Sequence, residues 1–253
     1  MQQNNTSIYA ELVRRKAAGQ KSFAVLVDPD KTPLSQADEL IRRCLAARVD
    51  FLFVGGSLVV STHLDQLVKN IKQQTNLPVV LFPGSPSQIT PAADALLYLS
   101  LISGRNPELL IGQHVISAPV VRQSGLEIMP TGYMVVDGGI PTTVSYISHA
   151  NPLPSNKNEI AVCTALAGEM LGMKLIYLDA GSGALHPVSA SMIRAVSNKI
   201  TLPLIVGGGI TDPGKACENC QCGADLIVVG NAIEKDLDLI HSISEAVHQA
   251  SSS

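Results

Sequence analysis

Residues 174–183 read KLIYLDAGSG. An apolar run ends in the carboxylate of Asp179 and then gives way to residues too small to fill a core. The run is continuous rather than alternating, the pattern of a parallel strand covered on both faces. Parallel neighbours need a crossover between them, usually a helix. Similar runs recur: FAVLVD (23–28), DFLFVG (50–55), LPVVLF (77–82), ALLYLS (95–100), YMVVD (133–137), LPLIVGG (202–208) and DLIVVG (225–230). With KLIYLD they make eight strands.

Helical periods fall between them. SQADELIRRCLAA sets Leu40, Ile41, Cys44 and Leu45 on one face. KNEIAVCTALAGEMLG does the same with Ile160, Cys163, Leu166, Ala167, Met170 and Leu171. Asp212-Pro213 reads as an N-cap followed by proline at the first helical position, and Gly223 as that helix's stop. The last helix puts Leu237, Ile240 and Val247 on one stripe. Eight such units in 253 residues predict a single α/β domain, a modified (β/α)8 TIM barrel. Residues 1–20 form an N-terminal helical extension, and residues 250–253 a frayed tail. The third unit is irregular. PGSPSQITPAAD, between the third and fourth strands, carries Pro83, Pro86 and Pro91 and no helical period. A loop or short strand is expected in place of the third helix. The main alternative, a doubly wound open sheet, lacks a G-x-G-x-x-G turn after its first strand.

The formal charge is -3, and Trp is absent. Neither a basic stripe nor a stacking platform for nucleic acid is present. No apolar run approaches the ~20 residues of a membrane span, and the polar N-terminus has no secretory core. The expected location is the cytoplasm. The five cysteines read as reduced thiols. Cys217, Cys220 and Cys222 lie inside a helix with no second ligand pair at zinc-like spacing.

Barrels carry their chemistry at the C-terminal ends of strands. Those ends are Asp28, Gly55-Gly56-Ser57, Pro83-Gly84-Ser85, Ser103-Gly104-Arg105, Asp137-Gly138-Gly139, Asp179 to Gly183, Gly207-Gly208-Gly209 and Gly230-Asn231. Three glycine exits follow strands six, seven and eight, where barrels commonly hold a phosphate. Asn231 opens a short helix there. Asp28 is placed to hold Mg²⁺, act as a base or cap a turn. Ser57 adds a hydroxyl, and Lys31 a nearby cation. Asp179 is the best placed to touch a substrate hydroxyl. Tyr177 shares its strand face. Asp137 reads equally as a turn cap, and His114, near the end of a helix, as structural. No strand-end lysine offers a Schiff base, and no DDxxD motif supports a helical prenyl synthase.

Together VDPDK, FVGGS, ALLYLSLISGRNPELLIGQHV, EIMPTGYMVVDGG, YLDAGSGA, IVGGGI and VVGN resemble the geranylgeranylglyceryl phosphate synthase family with its PcrB-like members, in the group II branch. The match runs from about Phe23 to Asn231. The resemblance implies transfer of a prenyl group, geranylgeranyl as the commoner case, from its diphosphate to the 3-hydroxyl of sn-glycerol 1-phosphate. It implies Mg²⁺ on Asp28 and Ser57. It implies a glycerol-phosphate site of Tyr177, Leu178, Asp179, Ala180, Gly181, Ser182, Gly183, Gly208, Gly209, Gly230 and Asn231, with Gly207 in the same cradle. Asp179 and Tyr177 take the catalytic positions. Lys31 or Arg105 assists the leaving diphosphate, and the prenyl tail needs an apolar groove, for which Tyr98 and its apolar neighbours are either the lining or barrel core. A homo-oligomer and peripheral membrane contact are further implications. One departure stands out: the family usually reads YLEAGSG, and this chain has the shorter Asp179.

Three other readings stay open at this level. A sugar-phosphate isomerase or cyclase barrel would use Asp28 and Asp137 without a prenyl donor. A phosphate-binding barrel without catalysis would follow from the shortened Asp179. A flavin-binding barrel would give a yellow protein.

Overall fold

The computed structural model describes residues 7–252. In chain order the elements are α1 (Ile8–Ala17), β1 (Ser22–Val27), α2 (Leu34–Ala46), β2 (Phe51–Gly56), α3 (Leu64–Gln74), β3 (Val79–Pro83), β4 (Ala95–Leu101), α4 (Gln113–Ser124), β5 (Glu127–Val135), α5 (Thr143–Ser148), α6 (Asn158–Met170), β6 (Leu175–Asp179), α7 (Ala190–Ser197), β7 (Leu204–Gly207), α8 (Pro213–Gln221), β8 (Leu226–Val229), α9 (Asn231–Lys235) and α10 (Leu239–Gln249). The strands close into a barrel in sequence order, and β8 pairs in parallel with β1. The TIM-barrel expectation holds.

Strand alternation divides the apolar residues into two layers. Val25, Leu52, Leu81, Leu178 and Val206 face the helices. Ala24, Phe53, Val80, Tyr177 and Ile205 fill the barrel. Ile8 and Leu12 of α1 join the inner layer and close the N-terminal end. Glu127, at the start of β5, accepts the N–H groups of Ile8 and Tyr9 at 2.7 and 3.0 Å, capping α1. Arg15 reaches Asp50 at 2.5 Å, and Lys16 reaches Asp225 at 2.8 Å. That end is sealed and ion-paired, which leaves the opposite end for a ligand.

Between β3 and β4 the chain makes one 3₁₀ turn, Pro86–Gln88, and no helix or strand. The loop alternative is the one adopted, because the prolines interrupt both ladders. The Gln88 side-chain Oε1 accepts from Gly56 and Gly84 N–H at 3.3 and 3.2 Å, tying this loop to β2. The missing helix opens the barrel wall beside β4.

Asp212 caps α8 by accepting the Lys215 N–H at 2.9 Å, and Gly223 (φ 109°) follows its end, both as expected. Several expectations are corrected. Strand β5 begins at Glu127, upstream of YMVVD. Leu45 is exposed. The apolar stripe assigned to α6 faces largely outward: Ile160, Met170 and Leu171 are exposed, while Ala161, Ala165 and Gly168 are buried. Small residues let α6 sit close to the barrel, since a Cβ at Gly168 would lie 2.9 Å from Ile102 and 3.0 Å from Ile176. His114 is the second residue of α4, but a π-helical turn, Glu108–Gly112, runs straight into that helix and places His114 inside a continuous helical stretch. The fray expected over residues 250–253 does not hold for Ala250–Ser252, which forms a 3₁₀ turn, and the Ser251 hydroxyl accepts the Lys21 N–H at 2.7 Å. Ser253 lies outside the described residues.

Candidate active site

The open end of the barrel holds a polar cavity of about 510 Å³. Asp28, Ser57, Tyr177, Asp179, Ser182, Gly183, Gly208, Gly209, Gly230 and Asn231 line it. Strand exits far apart in sequence therefore meet, as a closed parallel barrel requires. Among the described residues no acceptor takes the N–H groups of Ser182, Gly183, Gly208 or Gly209. Donors of this kind face an anion well.

Gly208 shows why this exit is bare. Its φ is 79°, and a Cβ there would lie 2.5 Å from Asp179 Oδ1, 2.6 Å from Gly181 N and 2.7 Å from Ala180 N. The β6 and β7 exits touch through their backbones. Gly207 is different: a Cβ there would meet the Tyr177 hydroxyl at 2.6 Å. Its vacancy is filled by tyrosine, and it does not line the cavity. Leu178 and Ala180 are also corrected. They alternate outward into the helix-facing layer, so their side chains cannot reach a ligand. Gly181 is buried behind the lining and serves Asp179.

Asp179 is 7% exposed. Its Oδ1 accepts the Gly181 N–H at 2.7 Å, and its Oδ2 accepts the Tyr133 hydroxyl at 2.6 Å. Burial pushes this carboxyl up from the ordinary carboxylate range, against the pull of those two donors. Burial and the charge of Asp179 likewise raise the Tyr133 and Tyr177 phenols well above their usual value. Both tyrosines therefore stay protonated.

Asp28 Oδ1 accepts the Asp30 N–H at 3.0 Å, and its Oδ2 pairs with Lys31 Nζ at 3.3 Å. Lys31 also meets Glu234 at 3.0 Å. Burial would lower the Lys31 ammonium, but Glu234 and Asp28 outweigh it and leave it raised. The Asp28 carboxylate lies close to the β2 exit, 3.8 Å from where a Gly56 side chain would begin. One carboxylate and the Ser57 hydroxyl are hard oxygen donors. Among the described residues no three His, Cys, Asp or Glu side chains form a metal cage. Two oxygen donors on the cavity wall are a set that suits Mg²⁺ when it is shared with a substrate.

Beside this cavity runs a second, apolar one of about 120 Å³. Leu96, Leu97, Tyr98 and Leu99 of β4 line it, with Leu109 and Ile147 across from them. Tyr98 and its neighbours thus line an apolar cavity. The two cavities share Gly56, Ser57 and Phe82. Tyr98 donates to the His114 carbonyl at 2.8 Å, and His114 Nε2 lies 3.2 Å from Ser100 Oγ. Burial lowers the His114 imidazole.

Arg105 turns to the Gly104 carbonyl at 2.7 Å and lines neither cavity. Asp137 is exposed and accepts the Gly139 N–H at 2.9 Å, capping its own turn away from Asp28. Sequence reasoning missed Tyr133. Its signal was parity and register: Tyr133 pairs with Tyr177 across β5 and β6, so both face inward.

The PcrB family profile matches residues 15–247. The chain belongs to the PcrB family. Its relatives include geranylgeranylglyceryl phosphate synthases of Chitinophaga pinensis, 59% identical over 97% of this chain and 98% of the relative, and of Spirosoma linguale, 55% identical over 92% and 94%. The (S)-3-O-geranylgeranylglyceryl phosphate synthase of Thermoplasma acidophilum, solved with sn-glycerol-1-phosphate, superposes with a TM-score of 0.91 at 31% identity, covering 96% of this chain and 99% of that one. This PcrB-family chain is a prenyltransferase by that membership. Among the described residues no helix is long and apolar enough to cross a membrane.

Proposed function

We propose that this chain joins a prenyl diphosphate to the 3-hydroxyl of sn-glycerol 1-phosphate, forming an ether-lipid precursor. The observation that carries the reading is the junction of two unlike cavities at Gly56, Ser57 and Phe82. One cavity is lined by glycine exits with free N–H groups and suits a phosphate. The other is apolar and suits a hydrocarbon tail.

The phosphate end of the acceptor sits on the N–H groups of Ser182, Gly183, Gly208 and Gly209, and its hydroxyl faces Asp179. The prenyl tail lies along β4 and Leu109. Its C1–O bond breaks, and the electron pair leaves with the diphosphate. The acceptor oxygen forms the new C–O bond, and its proton passes to Asp179. Asp28 and Ser57 would hold Mg²⁺, which when bound neutralises the diphosphate charge. The Lys31 ammonium, 3.3 Å from Asp28, offers a second cation to the same group. Geranylgeranyl diphosphate is the proposed donor.

A cytoplasmic location and a homo-oligomeric state belong to the same proposal. So does peripheral membrane contact, supported by Val115, Ile116 and Val120, which are exposed on α4. The isomerase reading loses its second acid, because Asp137 caps a turn outside the cavity.

The test is a transfer assay with radiolabelled sn-glycerol 1-phosphate and geranylgeranyl diphosphate, with Mg²⁺ or with EDTA. An organic-extractable product that requires Mg²⁺ is expected. Folded protein that binds the phosphate and forms no product with farnesyl or longer donors would leave a binding barrel instead.

A further inference from the structure

The two cavities are divided by three aromatic rings. Phe82 stacks on Tyr177 with centroids 5.3 Å apart, and Tyr133 meets both edge-on at 5.7 and 5.4 Å. Phe82 lines both cavities, Tyr177 the polar one, and Tyr133 the apolar one. The hydroxyl of Tyr133 reaches from the apolar side to Asp179, where it donates to Oδ2 at 2.6 Å.

Asp179 is a short acid, and Tyr133 comes to it. Its carboxylate sits back against the β6 and β7 exits, 7% exposed. The Gly181 N–H fixes Oδ1 and Tyr133 fixes Oδ2. Each carboxylate oxygen offers about two acceptor sites, so one donor apiece leaves room for a substrate hydroxyl. The two donors together fix the carboxylate plane. Without Tyr133 the group is held at one oxygen and can turn about its last torsion, which is broad for an aspartate. The groups packed against Asp179 are few: Tyr133 from β5, Tyr177 from its own strand, and the backbone at Gly208 from β7.

We infer that Tyr133 is the positioning residue for Asp179: its hydroxyl orients the carboxylate that receives the proton of the acceptor hydroxyl. This rests on the prenyl-transfer reading above. No atom of Tyr133 is transferred. The acceptor proton ends on Asp179, and the tyrosine keeps its own. A donor on the charged form also favours ionisation, so Tyr133 keeps Asp179 available as a base.

The test is Tyr133→Phe, which keeps the ring and removes the hydroxyl. The expected result is a fall in kcat of about tenfold or more, the size of losing one hydrogen bond to a charged group, with KM for sn-glycerol 1-phosphate within about twofold of wild type. The acid limb of the pH–rate profile moves to higher pH, and the midpoint of the Asp179 carboxyl, followed by carbon NMR and assigned with Asp179→Asn, rises. In an Asp179→Glu background the longer carboxylate no longer depends on Tyr133, and Tyr133→Phe then costs less than about twofold.

Wild-type kcat and an unmoved carboxyl midpoint in Tyr133→Phe would overturn the assignment, as would an equal loss in the Asp179→Glu background. If the wild-type enzyme itself forms no product, the prenyl-transfer reading fails separately. The carboxyl titration still decides the role of Tyr133: a raised midpoint supports it, and an unmoved one refutes it.

Discussion

Gly208→Ala tests the junction of the β6 and β7 exits directly. At φ 79° an alanine pays about 1–2 kcal/mol of left-handed strain. Its Cβ would also sit 2.5–2.7 Å from Asp179 Oδ1, Gly181 N and Ala180 N. Two of those atoms are backbone and cannot rotate away. Overpacking of this kind adds about 1–3 kcal/mol, so the loss is about 2–5 kcal/mol in all. For a domain of this size that lowers Tm by about 4–20 °C. Gly125→Ala is the control. It has nearly the same φ, 74°, and nothing within 4 Å of a Cβ. It carries the strain alone, about 2–8 °C in Tm, at the end of α4 and away from the cavity. The assays are thermal unfolding and calorimetric titration with sn-glycerol 1-phosphate. Gly208→Ala should weaken binding at least about tenfold, because it displaces Asp179 and the cradle N–H groups together. Gly125→Ala should leave binding unchanged. If both variants bind like wild type, the contact between the two exits does not build the phosphate site.

Other outcomes follow from the same geometry. Asp28→Asn should raise the Mg²⁺ concentration needed for half-maximal turnover by at least about tenfold, the loss seen when even a supporting partner of a metal ligand is removed, while calorimetry shows unchanged sn-glycerol 1-phosphate binding. Leu109→Trp narrows the apolar groove and should lower kcat/KM for geranylgeranyl relative to farnesyl diphosphate by about tenfold, since displacing two methylenes costs about 1.6 kcal/mol; equal kcat/KM ratios in competition assays would move the tail elsewhere. Asp50 serves stability. Burial would raise its carboxyl, but His248, the Phe23 N–H and Arg15 outweigh it and hold it lowered. A lowered folded value contributes stability above the unfolded pKa near ~3.9 and loses it as pH falls through the folded value. Asp50→Asn should therefore cost about 3 kcal/mol at neutral pH, and its Tm gap to wild type should close in acid.

The local character of each strand end was written in the chain. Continuous apolar runs named parallel strands, and their polar exits named Asp28, Ser57, Asp179 and the glycines, because barrel chemistry collects where strands stop. The proline-rich stretch after Phe82 announced the missing helix, since proline denies both helix and sheet their hydrogen bonds. The chain alone could not assign every exit residue its direction. Leu178 and Ala180 sit in the same motif as Asp179 yet face the helices, a matter of parity within the closed barrel. Apolar period also misled at α6, where close packing selected Ala161, Ala165 and Gly168 and left Met170 outside. Asp28 and Asp137 looked equivalent until closure put one in the cavity and the other on a turn. The apolar groove and its junction with the phosphate site at Phe82 join strands distant in sequence, and the bond from Tyr133 to Asp179 joins residues 46 positions apart. Sequence determined which residue types stand at the strand ends, because that is a local property. Tertiary structure alone decided which of them meet, because closing eight strands fixes the register and direction of every side chain at once.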